Sequence, residues 1–125
     1  MGITIKELKN KLRGLPEYTI VTSKGYGLRY DFSSYRGDYR KLGIEIGSQY
    51  TEENSAFMLT PKTCIQLLDQ ALSEGIMTGY KGGEFIIADW TEVVLASYGI
   101  GDGDYIKNIY PSVYNGSDVI LFELM

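Results

Sequence analysis

The sequence predicts an α+β domain, with a mainly antiparallel sheet and two helices packed on one face. Three observations lead there. Two stretches carry apolar residues at helical spacing behind a capping threonine, and seven short β-branched or aromatic runs are separated by turn residues. The third is a length of 125 residues with 44% hydrophobic content, enough for one ordinary core and so for a single domain over residues 1–125.

The first helix begins at Thr4, whose pairing with Glu7 forms a capping box, with a hydrophobic staple between Ile3 and Leu8. Ile5, Leu8, Leu12 and Leu15 share a face, while Lys9, Lys11 and Arg13 occupy the last turns, where the helix dipole favours cations. Gly14 and Pro16 end it. Residues 18–23 have strand composition, 24–27 read as a turn, and 28–32 and 42–46 as further strands, the last alternating Leu42, Ile44 and Ile46 inward with Glu45 outward. Residues 47–55 form a polar connection.

A second helix starts at Thr60 with Pro61 in its first position, carries Cys64, Leu67, Leu68, Ala71 and Leu72 as one stripe, and stops at Gly75. Residues 78–83 are a glycine-rich loop, 84–89 and 92–98 strands, and 99–103 a turn. Residues 105–110 and 119–124 form a terminal antiparallel pair around Tyr114-Asn115-Gly116, where Asn-Gly signals a hairpin.

Composition excludes much chemistry. There is one cysteine and no histidine, so intrachain disulfides, Cys/His zinc sites, Ser-His-Asp or Cys-His catalysis and imidazole proton transfer are absent. Cys64, among Ile65, Leu67 and Leu68, reads as a buried hydrophobe. No apolar run is long enough to span a bilayer and no signal-like segment opens the chain, which gives the expectation of a soluble, cytoplasmic protein without membrane contact.

Charge is uneven within the net −4. Residues 1–41 hold nine of the twelve basic residues and four acidic ones, whereas 42–125 hold three basic and twelve acidic. The acidic remainder argues against duplex nucleic acid as partner. All four arginines, Arg13, Arg29, Arg36 and Arg40, precede Lys41.

Two segments stand out as ligand contacts. In the first, Arg36 and Arg40 offer planar donor forks to an anion, Tyr35 and Tyr39 offer stacking faces, and Gly37 lets the backbone approach. The structural alternative makes Arg36 a clasp on Asp31, Asp38 or Glu45. In the second, Thr78, Gly82 and their neighbours can turn backbone N–H groups toward an oxyanion while Lys81 adds charge and Tyr80 a ring. A purely conformational turn has the same composition, and the spacing is not that of a Walker loop. Residues 99–104 read as a turn with solvated carboxylates, and Trp90 as a core anchor, with an indole that caps a pocket as the alternative.

The fragments Ser34-Tyr35-Arg36-Gly37-Asp38-Tyr39 with Leu42-Gly43-Ile44, Thr78-Gly79-Tyr80-Lys81-Gly82-Gly83-Glu84-Phe85, and Ala96-Ser97-Tyr98-Gly99 come in an order that resembles small accessory proteins of tailed bacteriophages. The resemblance covers most of residues 4–99; residues from Tyr105 onward have no counterpart in it. It implies a host-cell setting in which such proteins inhibit a host or immune protein or sequester a nucleotide signal.

The expectation is therefore a non-enzymatic protein, without catalytic residues, metal or cofactor, that captures a small anionic, nucleotide-like molecule through Tyr35, Arg36, Gly37, Tyr39, Arg40, Thr78, Tyr80, Lys81 and Gly82. The alternative is an inhibitor that docks an acidic, tyrosine-rich face, including Asp102, Asp104, Tyr105, Tyr110 and Tyr114, onto a host or defence protein. Sheet edges and eleven tyrosines point to a homodimer or higher homo-oligomer.

Overall fold

The computed structural model describes residues 2–34, 40–79, 82–97 and 103–125. In chain order the elements are β1 (Ile3–Thr4), α1 (Ile5–Leu12), β2 (Ile20–Thr22), β3 (Tyr26–Ser34), β4 (Leu42–Gln49), a 3-10 turn (Asn54–Phe57), α2 (Pro61–Glu74), β5 (Ile76–Thr78), β6 (Glu84–Ile86), β7 (Glu92–Ala96), β8 (Ile106–Tyr114) and β9 (Ser117–Leu124).

The helices begin where local chemistry dictates. Thr4 Oγ1 accepts from Glu7 N–H while Glu7 Oε1 accepts from Thr4 N–H, a reciprocal cap that satisfies two otherwise orphaned donors. Thr60 and Thr63 do the same for α2, Pro61 supplies a pre-set φ, and Gly75 closes the helix at φ 74°. The Asn115-Gly116 turn joins β8 to β9 with φ of 49° and 81°, the left-handed pair that a two-residue hairpin requires.

The sheet overturns the expected fold class. The protein is mostly β, and it is not a mainly antiparallel sheet carrying two helices on one face. Seven strands form one mixed sheet in the order β1-β7-β4-β3-β2-β9-β8, with β4 parallel to β7 and β2 parallel to β9. The sheet curls into a nearly closed barrel. Its seam lies between β7 and the residues leading into β8, where Leu95 and Asp104 exchange backbone hydrogen bonds of 2.9 and 2.8 Å. Met125 N–H then donates to the Tyr105 carbonyl at 3.0 Å, linking the seam to the end of β9. The expected strand at 84–89 does not join this sheet; β5 and β6 form a separate two-stranded hairpin.

One core takes side chains from helices and strands alike: Ile5, Leu8 and Leu12 from α1, Cys64, Leu67, Leu68 and Ala71 from α2, and Leu28, Ile44, Leu95, Ile120 and Phe122 among those from the sheet. Cys64 is fully buried and its thiol is pushed up to about 12 by that burial, so it is a packing residue, as its stripe predicts. A smaller cluster of Val21, Tyr50, Met58 and Val119 seals the opposite face of β2.

β8 is the last strand of the sheet, and its outer edge carries an explicit block. Tyr114 and Ser117 close a two-residue hairpin, so Tyr110, Ser112 and Tyr114 bond inward to β9 while Ile109, Pro111 and Val113 turn their backbone groups outward. Pro111 thus removes an N–H where another strand would dock. Pro111→Thr is expected to strengthen edge-to-edge self-association by about 1–3 kcal/mol for two symmetric bonds, at least ~fivefold, as read by sedimentation across a concentration series.

Candidate functional site

A turn ahead of β7 sets up the most chemically distinctive cleft. Thr91 is buried, its Oγ1 accepting from Ala88 N–H and its N–H donating to the Ala88 carbonyl, both at 2.9 Å. The carbonyls of Thr91 and Asp89 accept from Ile5 and Lys6 N–H, two more first-turn donors of α1. The turn's backbone is therefore committed to the helix, and Trp90 at its tip projects outward, 74% exposed. The core-anchor reading of Trp90 is wrong for this reason.

Beside Trp90, residues Arg40, Lys41, Phe85, Ile86, Thr91 and Glu92 enclose a cleft of about 340 Å³. Phe85 and Ile86 come from β6, where Met77 pairs with Phe85 and Ile76 with Ile86. Met77 is buried, so its face of the hairpin anchors it on the core; Ile86, 68% exposed, is left toward solvent. Arg40 and Lys41 lead into β4. The cleft lining therefore combines two cations with aromatic and aliphatic side chains.

The Lys41 cation is braced. Lys41 Nζ donates to the Tyr105 hydroxyl at 2.6 Å and lies 3.4 Å from Glu92 Oε2, while Glu92 Oε1 accepts from Gly2 N–H at 3.1 Å. The hydrogen bond to Tyr105 raises the Lys41 pKa, and the Gly2 N–H, followed by the positive charges of the chain's amino terminus and of Lys41, lowers that of Glu92. The signs set a window. Glu92 stabilises the fold above its ordinary value of 4.5, a contribution lost as pH falls through its lower folded value. Lys41 contributes below its ordinary 10.5, and that is lost as pH rises through its higher folded value. The melting-temperature gap between the wild type and Glu92→Gln is expected to be constant at mid pH and to shrink below pH 4.5.

Of the sequence-predicted site residues, Arg40 lines the cleft. Thr78 is exposed at the end of β5, opposite Glu84, and Gly82 is exposed at φ 84° in the turn of the same hairpin, neither among the lining residues. Tyr35, Arg36, Gly37, Tyr39, Tyr80 and Lys81 lie outside the described residues, as does Asp102. Among the other residues of the expected acidic face, Asp104 is not a solvated carboxylate: it is half-buried and paired with Lys24 Nζ at 2.9 Å. Tyr105 is held by Lys41, and Tyr114 packs edge-on against Tyr50 at 5.9 Å. Sequence reasoning gave Phe85 and Ile86 no site role, placed Lys41 at the end of the basic, aromatic stretch 30–41 without assigning it a contact, and kept Trp90 as a pocket cap only as the alternative to core anchoring. The one available signal was Trp90 between Asp89 and Thr91, both turn-forming types.

Among the described residues, no cluster of three or more His, Cys, Asp or Glu side chains is placed to hold a metal, and no helix is long and apolar enough to cross a membrane. Comparison with protein families, curated proteins and solved structures gives no match.

Proposed function

We propose that the chain is a non-enzymatic binding protein that captures a small anionic, nucleotide-like molecule in the Trp90 cleft. The supporting observation is the pairing of Arg40 and Lys41 with an exposed indole and the Phe85-Ile86 wall in one cleft. A guanidinium binds phosphate oxygens through two parallel N–H bonds, and an indole presents a flat face to a base. The Glu92 carboxylate, already bonded to Gly2 and facing Lys41, has its charge offset and can accept from a sugar hydroxyl or a base amine. In the phage setting that the sequence resembles, such capture removes a nucleotide signal from a defence pathway.

Trp90 is the single tryptophan, so its fluorescence reports on this cleft alone. Titration with linear and cyclic nucleotides is expected to quench it saturably, with inorganic phosphate far weaker. Arg40→Ala removes one charge-assisted contact and should weaken the best ligand by about 1.5–3 kcal/mol, roughly ten- to hundredfold. Quenching without saturation, or equal affinity in Arg40→Ala, would overturn the reading.

A further inference from the structure

A second cleft, sharing no residue with the first, lies where β3 meets the 3-10 turn. Arg29, Tyr30, Ser48, Asn54, Phe57 and Met58 enclose about 380 Å³. Three features make it more than a surface irregularity.

The first is a bulge. Leu28 pairs with Ile46 and Phe32 with Ile44, so Arg29, Tyr30 and Asp31 on β3 stand opposite the single residue Glu45 on β4. Strict alternation would send Arg29 and Tyr30 to opposite faces; here both are exposed and both line the cleft. Secondly, position 47 makes room for the arginine. A Cβ on Gly47 would lie 3.1 Å from Arg29 Cγ, so the bare glycine is the bed on which the aliphatic stem rests. Thirdly, Phe57 is 84% exposed at the end of the 3-10 turn, and Tyr30 is 49% exposed. An aromatic pair beside an arginine has the composition of an interface hot spot.

The charge identifies the occupant. Arg29 is the one charged residue lining the cleft, and among the described residues its guanidinium makes no ion pair or hydrogen bond. A single fork with no second cation suits one carboxylate rather than a phosphate chain. The neutral polar groups suit a peptide: Asn54 Nδ2 donates to the Gln49 carbonyl at 3.4 Å, which orients the amide and leaves its oxygen as an acceptor for a backbone N–H. We propose that this cleft docks an acidic segment of a partner protein, with a carboxylate on Arg29, a neighbouring apolar side chain between Tyr30 and Phe57, and the peptide backbone on Asn54 and Ser48.

The test is a displayed library of random twelve-residue peptides, panned on the full chain and counter-selected on Arg29→Glu and Phe57→Ala, with thermal melting to confirm that both variants fold. The expected consensus places Asp or Glu beside Phe or Leu, and each substitution weakens the best synthetic peptide at least tenfold without altering Trp90 fluorescence. Arg29→Lys should recover only part of the binding, since it keeps the charge and loses the fork. No enrichment, a consensus lacking a carboxylate, or unchanged affinity in Arg29→Glu would overturn the proposal. So would a nucleoside monophosphate that perturbs the Tyr30 and Phe57 ring resonances when no selected peptide does.

Discussion

Phe122→Ala is expected to lower the free energy of unfolding by about 3–5 kcal/mol, a large share of the ~5–15 kcal/mol typical of one domain. Among the described residues, Phe122 is the largest fully buried side chain. It sits on β9 between two partners, Thr22 across the parallel ladder and Ile109 across the antiparallel one. Removing the ring leaves a cavity lined from both sides, and well-packed ladders on each flank give it little freedom to collapse. Phe57→Ala is the internal control. The same atoms are deleted from a ring that is almost wholly in water, so stability should stay within about 0.5 kcal/mol. Urea unfolding followed by far-UV circular dichroism measures both, and an unchanged slope would show that the loss lies in the native state.

Gly27→Ala should also destabilise the fold, and for the opposite reason. A Cβ at position 27 would lie 2.2 Å from Met58 Sδ, 2.6 Å from its Cγ and 2.9 Å from its Cε, so most of the methionine side chain is in the way. Met58 is buried against Val21, Tyr50 and Val119 and its neighbour Leu59 is pinned, donating to the Leu28 carbonyl and accepting from Ile20 N–H, both at 2.9 Å. The methionine cannot leave without opening that cluster, and overpacking of this kind costs about 1–3 kcal/mol. Combining Gly27→Ala with Met58→Ala should cost less than the two singles added, by about 0.5–3 kcal/mol, because the new methyl enters the space the thioether vacates. Strict additivity would mean that the backbone, not Met58, absorbs the overlap.

Both positions illustrate where the sequence could be read and where it could not. Thr4 with Glu7, Thr60 with Pro61, Gly75 and Asn115-Gly116 are short-range signals whose partners lie within a few residues, and each was legible. Alternation marks Leu42, Ile44 and Ile46 as a strand, but a period of two says nothing about neighbours. The partner of β4 is β7, about fifty residues on, and the partner of β2 is β9. Those two parallel pairs convert a flat expectation into a curled mixed sheet. The bulge that turns out Arg29 and Tyr30 is invisible for the same reason, since it exists only relative to Glu45 on another strand. At the first cleft, Arg40 was legible by its charge. The pocket-capping role of Trp90 was open as an alternative, but its exposure was not legible, because that depends on backbone groups of its turn being spent on α1.

The parallel pairing of β2 with β9 also governs the order of events during synthesis. Ile20, Val21 and Thr22 meet Ile120, Leu121 and Phe122, so a strand made near the start of translation waits about a hundred residues for the neighbour that buries it. Closing so long a loop before any contact rewards it makes this a slow-folding topology. Until β9 has left the ribosome, Ile20 and Val21 have one strand edge open, the kind of exposed edge that makes a slow-folding chain prone to aggregate.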